Sequence, residues 1–337
     1  MDFRLELDIK KSTTLINYRD KIMLCGSCFT ENIGSKLDYH KFKTLQNPNG
    51  ILFNPISIAK SVTSYIENKQ YNEDELFYFN DIWQSWEHHS RFSSVNKNES
   101  LQMINDSQKA AHQFLKEANW LMLTLGSAFV YELTSPLTPL LEERGVRGEV
   151  VANCHKVPTD KFNKRLLGVE EVMSVLDNLM HRLFLFNPKL KIIFTISPVR
   201  HLRDGFVENN RSKSTLIQAV HQLVDKFDKL FYFPAYELVI DDLRDYRFYA
   251  EDMVHPNYAA TNYVWEKFVD AMMDEETISL MDKVNEIQRA RNHKPFNPTS
   301  DQHKKFLQSY LHKTTELQQK YPQLYLQEEI AFFNSVI

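Results

Sequence analysis

The chain alternates short apolar runs with segments of helical periodicity, and this alternation constrains the fold more than any other feature. Four apolar runs are each followed directly by a glycine, a proline or a Ser-Pro pair: residues 22–25, 121–125, 191–196 and 231–233. Residues 169–186 and 216–227, which lie between later runs, repeat their apolar side chains at helical spacing. Strands separated by helices are typical of a parallel sheet covered on both faces, so we expect an α/β fold.

Three short polar sequences come directly after the apolar runs. They are Gly26-Ser27, Gly126-Ser127 and Ser197-Pro198. Ligands of open α/β sheets bind beyond the carboxyl ends of the strands. We therefore expect these sequences to share one crevice, with Gly126 among its lining residues.

Composition narrows the class of protein. A chain of 337 residues with 43% hydrophobic content suffices for one large domain and an appendage. The net charge of -4, without a basic stripe, argues against a nucleic-acid partner. The N-terminus lacks the apolar core of a signal peptide, and no stretch has the length of a membrane span. We expect a cytoplasmic protein with neither a membrane nor a nucleic-acid partner. No cofactor is indicated, and a protein partner is unknown.

The chain is expected to divide into two parts. Residues 1–275 would form the main domain, and residues 276–337, polar and rich in helix-forming stretches, a helical C-terminal extension. Residues 135–149 hold two prolines and two glycines, which predicts an exposed insert within the main domain.

A serine directly after a strand and at the start of a helix meets the needs of a nucleophile. At Ser27 the hydroxyl would project into the crevice, where helix amides, including that of Cys28, donate to an oxyanion. Serine needs a base within hydrogen-bond reach. Asp252 and His255, three positions apart, could supply it, with the carboxylate holding Nδ1–H while Nε2 faces the serine. Taken together they predict a catalytic triad. Taken singly, Ser27 could be a helix N-cap, and the pair could mark the start of a helix.

The three cysteines allow other interpretations. Cys25 and Cys28 have the spacing of a redox pair, and Cys154 with His155 could complete a zinc site. Neither reading explains Asp-x-x-His, and the spacing is unlike common zinc modules, so we expect no metal. Cys28 as the nucleophile, in place of the neighbouring serine, stays open.

Residues 26–30, Gly-Ser-Cys-Phe-Thr, resemble the signature of the GSCFA family, with Thr30 where the family name has alanine. The resemblance runs from residue 21 to about residue 268 and includes residues 125–132, 153–158 and 252–256. That family is a branch of the SGNH/GDSL hydrolases. It implies a flavodoxin-like three-layer α/β/α fold.

The resemblance also implies roles for residues. Ser27 matches the nucleophile of the first SGNH block, and Asp252 and His255 match the Asp-x-x-His of the last. Gly50 matches the second-block glycine, whose amide lines the oxyanion hole.

The third block departs from the superfamily pattern. It should read Gly-x-Asn-Asp, with the Asn side chain donating to the oxyanion, but Ala128 occupies that position. Alanine has no side-chain donor. Asn153 is our candidate replacement, beside His155; alternatively, both residues merely satisfy a turn.

Residues 83–92 concentrate aromatic, histidine and arginine side chains. Aromatic faces such as that of Trp86 suit sugar rings, and Arg91 suits a carboxylate or phosphate, so Trp86, His89 and Arg91 could form a substrate-binding surface. His88 and His89 could also bind metal, but neither has a partner at a convincing spacing. A buried aromatic cluster with satisfied histidines is the favoured alternative.

These features predict a serine esterase acting through an acyl-enzyme on O-acyl esters. The expected substrate is a small-molecule or carbohydrate ester that carries an O-acetyl group. The alternatives are an O-acyltransferase with the same site and a non-catalytic binding module on the same fold.

Overall fold

A computed structural model describes residues 5–134 and 148–336 of the chain. Of the insert expected at residues 135–149, residues 135–147 lie outside the described residues. Within the described ranges the strands are β1 (Lys21–Gly26), β2 (Lys43–Gln46), β3 (Phe77–Phe79), β4 (Ile82–Gln84), β5 (Trp120–Leu125), β6 (Phe129–Leu133), β7 (Val150–Val151), β8 (Phe162–Leu166), β9 (Lys191–Ile196) and β10 (Leu230–Tyr232). The α-helices are α1 (Cys28–Tyr39), α2 (Pro55–Glu67), α3 (Lys97–Glu117), α4 (Val169–Phe186), α5 (Phe206–Lys226), the single turn α6 (Ala235–Glu237), α7 (Tyr258–Met272), α8 (Glu275–Arg291), α9 (Asp301–Lys320) and α10 (Gln327–Val336).

The central sheet has five strands in the order β10-β9-β5-β1-β2. Counted along the chain, this is the order 2-1-3-4-5 of flavodoxin-like sheets. The pairs β1–β5, β5–β9 and β9–β10 are parallel, and Gly26, Thr124 and Thr195 lie side by side in register. The carboxyl ends of β1, β5 and β9 therefore meet at one edge, as the sequence predicts for a ligand site.

Both faces of the sheet are buried. In β1, Met23 and Cys25 face the main hydrophobic core, and the alternate residues Ile22 and Leu24 are also inaccessible to solvent. Helices α2, α4 and α5 pack side by side and contribute apolar side chains to that core. Each fully buried leucine or valine contributes about 1.5–3 kcal/mol through the hydrophobic effect. The predicted α/β fold is confirmed.

Two small antiparallel sheets accompany the central one. Strands β3 and β4 form a hairpin, and β6 pairs with both β7 and β8. Strand β6 begins three residues after Gly126, so this second sheet continues directly from the carboxyl end of β5.

By internal contacts the chain divides into two units. The first comprises residues 1–8, 22–32 and 45–264, and the second residues 9–21, 33–44 and 265–337. The second unit contains the C-terminal helices α8, α9 and α10, which cover the helical stretches predicted for the extension. The division expected at residue 275 stays a prediction about domains. In the part of the chain that the structure describes, no helix combines the length and apolar character needed to cross a membrane.

Candidate active site

Ser27 lies at a sharp transition from β1 to α1 that only glycine permits at position 26. Gly26 has φ +144°, and a Cβ there would lie 2.2 Å from the Thr124 carbonyl oxygen. This close approach lets the Ser27 amide donate to the same oxygen at 3.1 Å, and α1 begins at the next residue. The serine thereby occupies the carboxyl end of β1 and the N-terminus of a helix, where partial positive charge favours an anion.

The Ser27 side chain is buried without a hydrogen bond. Its exposed fraction is 0%, and its Oγ has no partner among the described residues. Nearly all buried polar side-chain atoms in folded proteins are paired. The unpaired Ser27 hydroxyl, at the carboxyl end of β1, is one of the exceptions to this rule among the described residues.

Asp252 and His255 form a close hydrogen-bonded pair on the loop before α7. Asp252 Oδ2 lies 2.6 Å from His255 Nδ1, and Oδ1 accepts from the amides of Val254 and His255 at 2.9 and 3.0 Å. Hydrogen bonds from the amide and ring of His255 lower the pKa of the Asp252 carboxyl to about 2. The ionised carboxylate fixes Nδ1 as the protonated nitrogen, which leaves Nε2 as a base.

The loop that carries His255 is joined to the segment after β9. The Arg200 amide donates to the Val254 carbonyl at 3.2 Å, and the Ala250 amide donates to the His255 carbonyl at 2.7 Å. No hydrogen bond joins His255 to Ser27, and the imidazole is half-exposed. The structure thus holds the Asp-His pair ready but not engaged with the serine.

Two aromatic rings, neither expected from the sequence, surround the space next to Ser27. A Cβ placed on Gly126 would lie 3.1 Å from Phe53 Cδ1, 3.3 Å from His201 Nε2 and 3.3 Å from Ser27 Cβ. The Phe53 and His201 rings meet edge to face at 5.4 Å. Gly126 is thus confined by the serine and both rings, and its role in lining a ligand crevice stays a prediction.

A buried lysine, also missed at the sequence level, binds the ends of two strands together. Lys213 Nζ donates to the carbonyl oxygens of Gly126 at 2.7 Å and Ser197 at 2.6 Å. Burial lowers the pKa of this ammonium to about 7. The sequence did contain one indication of its burial, because Lys213 falls on the buried face of α5 one turn before Leu216. Lys213 positions the segments that follow β5 and β9.

Cys28, the first residue of α1, follows Ser27 and is half-buried. Burial is the main cause that raises the pKa of its thiol, although the amides of Phe29 and Cys28 and the charge of Lys213 act in the opposite direction. A thiol with a raised pKa is a poor nucleophile. All three cysteines are free.

The backbone amides of Gly50 and Ala128 are engaged in other hydrogen bonds. The Gly50 amide donates to the Asn47 carbonyl at 2.7 Å, and the Ala128 amide donates to Ser212 Oγ at 2.8 Å. Gly50 itself has φ +83°, and a Cβ there would lie 2.1 Å from His89 Cβ. A role for the Gly50 amide at an oxyanion would require its present hydrogen bond to break.

Asn153 and His155 are bonded to their own surroundings. Asn153 Oδ1 accepts from the His155 amide at 2.8 Å, and His155 Nε2 lies 2.8 Å from the Ser85 carbonyl oxygen. Burial lowers the pKa of His155. The hydrogen bonds of both side chains therefore stabilise the local turn. The oxyanion role of Asn153 stays a prediction.

Residues 83–92 divide into a packed part and a part near Ser27. Trp86 stacks on Phe77 with ring centres 3.7 Å apart. His89 backs onto Gly50, and Arg91 donates to the Asn47 carbonyl and pairs with Glu31 at 3.4 Å.

Asn47 connects this surface to the serine. Its Oδ1 accepts from the Gly26 amide at 2.9 Å, so the carbonyl that binds Arg91 belongs to a residue that also holds the turn before Ser27. Of the expected binding residues in this segment, His89 and Arg91 thus lie close to the serine turn.

Fold and site together define an α/β protein with flavodoxin-like strand order, whose first strand ends in a buried serine and whose last loop carries an Asp-His pair. The model of the GSCFA family matches residues 21–268, and that of the GSCFA domain protein, C-terminal domain, matches residues 284–337. The chain belongs to the GSCFA family.

Other comparisons are distant. No curated protein matches the sequence. Among solved structures, a carbohydrate esterase family 3 protein from Talaromyces cellulolyticus is similar at 9% identity and a TM-score of 0.34, covering 78% of this chain and 98% of that one. A similarity this weak is not a basis for assigning a function.

Proposed function

We propose that this protein is a serine-dependent ester hydrolase or acyl transferase of the SGNH type, with Ser27, His255 and Asp252 as its triad. The observation that carries the proposal is the combination of an unpaired, buried Ser27 Oγ with an imidazole already held at Nδ1 by a carboxylate. Acyl transfer needs a nucleophile that no other group occupies. It also needs a base whose unprotonated nitrogen can accept the proton.

In the proposed reaction, Ser27 Oγ bonds to the ester carbonyl carbon while its proton passes to His255 Nε2. The carbonyl π electrons move onto oxygen and form the oxyanion. Collapse of this intermediate breaks the bond to the leaving alcohol, which takes the proton from His255. Water, activated by the same imidazole, then releases the acid and restores Ser27. In a transferase, an acceptor hydroxyl replaces the water.

The burial of Ser27 bears on this proposal. At 0% exposure the hydroxyl meets a substrate only if neighbouring groups move, and His255 must approach to accept its proton. Catalytic hydrogen bonds in unliganded enzymes often form only in the substrate complex. The same burial favours the second candidate, a binding module without activity, so the experiment must separate the two.

For the substrate we propose an O-acyl ester, with an O-acetyl group on a carbohydrate as the first class to screen. Arg91, which is exposed beside the serine turn, suits a hydroxyl or an anionic group of the acceptor. Trp86 has less ring surface available to stack on a sugar, because one of its faces is covered by Phe77.

The test is hydrolysis of a small acetyl ester by wild type and by Ser27→Ala, His255→Ala and Cys28→Ser. The proposal expects turnover in wild type and Cys28→Ser and its loss in the other two variants. Loss in the Cys28 and His255 variants alone would move the nucleophile to sulfur. A wild type without turnover on a panel of acetyl and longer acyl esters would support the binding module.

A further inference from the structure

The candidate site lacks a side-chain donor for the oxyanion at the expected position. Ala128 has none, and its amide is bonded to Ser212. The amides of Ser27 and Gly50 donate to the carbonyl oxygens of Thr124 and Asn47. A serine acyl transferase depends on donors aimed at the developing negative charge, and losing one lowers kcat by about 10²–10³. If the site uses a side-chain donor, as the third-block Asn would be, another residue must supply it.

His201 has an unpaired ring nitrogen near Ser27 and Gly126. Its Nε2 is buried and unpaired, and it lies 3.3 Å from the point above Gly126 that is also 3.3 Å from Ser27 Cβ. The backbone amide of His201 donates to Asn209 Oδ1 at 2.9 Å, and its ring meets the Phe53 ring edge to face at 5.4 Å. A buried, unpaired nitrogen this close to an unpaired nucleophile is placed to contact the reacting group.

The surroundings of His201 suit a neutral donor and not a base. Burial, and then the charges of Lys213, His255 and Lys164, lower its pKa to about 3. A general base must become a cation during the reaction, which these surroundings oppose. His255, paired with Asp252, has the carboxylate that a cation needs. The two histidines therefore suit different roles.

We propose that His201, as the neutral tautomer protonated at Nε2, donates a hydrogen bond to the oxyanion and takes the part that the third-block Asn plays in other SGNH enzymes. This inference rests on the proposed function. It makes His201 a catalytic residue beside Ser27 and His255.

The experiment compares His201→Gln, which keeps an N–H donor, with His201→Leu, which fills similar space without one. We expect kcat for an acetyl ester to fall about 10²–10³-fold in the leucine variant with KM little changed, and glutamine to restore at least about tenfold of that loss. Labelling of Ser27 by a fluorophosphonate, whose phosphoryl oxygen resembles the oxyanion, should slow in the same order. If leucine prevents folding, His201→Ala replaces it in the comparison.

The matched control is His40→Leu. His40 belongs to the second unit and also has an unpaired buried ring nitrogen and a pKa lowered by burial, to about 4. It should keep wild-type kcat. A leucine variant of His201 within threefold of wild-type kcat, or a glutamine variant as impaired as leucine, would overturn the donor role while leaving Ser27 chemistry intact. A wild type with neither turnover nor labelling at Ser27 would instead remove the proposed function, and the donor with it.

Discussion

Asp252 holds His255 through both its side chain and its backbone. One carboxylate oxygen lies 2.6 Å from Nδ1, and the other accepts from the His255 amide at 3.0 Å. The three-residue spacing closes this small ring of hydrogen bonds within a single loop. The imidazole is consequently fixed in orientation and tautomer before any substrate arrives.

Replacing Asp252 by asparagine is therefore expected to lower kcat by about 10³–10⁴-fold, because the imidazole loses its preferred tautomer. The carboxyl pKa of about 2 means that the carboxylate's contribution is present above its unfolded-state pKa and is lost only as pH falls through about 2. The difference between wild type and variant should accordingly persist across neutral pH. A pH–rate profile checks this, and equal kcat values would argue against a triad.

Gly126→Ala places a methyl group between Ser27 and the rings of Phe53 and His201. The neighbours at 3.1–3.3 Å must shift, so we expect destabilisation of about 1 kcal/mol and at least a tenfold loss of kcat. Gly168→Ala is the control, because a Cβ there meets only Glu170 Oε2 at 3.6 Å. Urea unfolding and ester hydrolysis of both variants test the point. Unchanged activity in Gly126→Ala would mean that this space is not used by substrate.

Lys213 makes stability depend on pH in a defined direction. Its pKa falls from an ordinary 10.5 to about 7 on folding, so between these values the unfolded chain binds more protons. Stability should then rise with pH between about 7 and 10, by up to about 1.4 kcal/mol per pH unit. Lys213→Met should remove this slope. Urea unfolding at several pH values measures it, and parallel curves for wild type and variant would contradict the assignment.

The second unit contains a buried carboxylate that joins separate segments. Glu329 Oε1 accepts from Lys41 at 2.7 Å, Arg291 at 2.5 Å and Gln288 at 3.0 Å, and the residue is 0% exposed. Removing one member of a buried ion pair costs about 3–5 kcal/mol. Glu329→Ala is expected to lose about that amount. The neighbouring Glu328→Ala, 74% exposed, should lose under about 1 kcal/mol. Similar losses in the two variants would show that burial of the ion pair is not decisive.

Much of the fold was predictable because its strongest signals are local. Four strands of the central sheet coincide with apolar runs, and α4 spans Val169–Phe186 as its periodicity indicates. The edge strand β2, Lys-Thr-Leu-Gln, has no apolar run, since each of its residues is only partly buried. Strands β6 and β8 pair across about thirty residues, and nothing in the sequence specifies that register.

In the candidate site, too, local relationships could be predicted from the sequence and long-range ones could not. Asp252 and His255 could be paired from the sequence because three residues separate them. His201 could not be identified from the sequence, and Lys213 only from its helical register, because the contacts that matter are with residues distant in sequence. Lysine on a helix is ordinarily solvent-exposed, and only its register with the buried face of α5 distinguishes Lys213.

The proposed serine triad is tested most directly by identifying the residue that reacts with a fluorophosphonate. Wild type, Ser27→Ala, His255→Ala and Cys28→Ser would be incubated with the probe, digested and analysed by peptide mass spectrometry. The proposed triad predicts one adduct on Ser27 in wild type and Cys28→Ser, none in Ser27→Ala and strongly slowed labelling in His255→Ala. An adduct on Cys28, or a folded wild type with no adduct on Ser27, would contradict it.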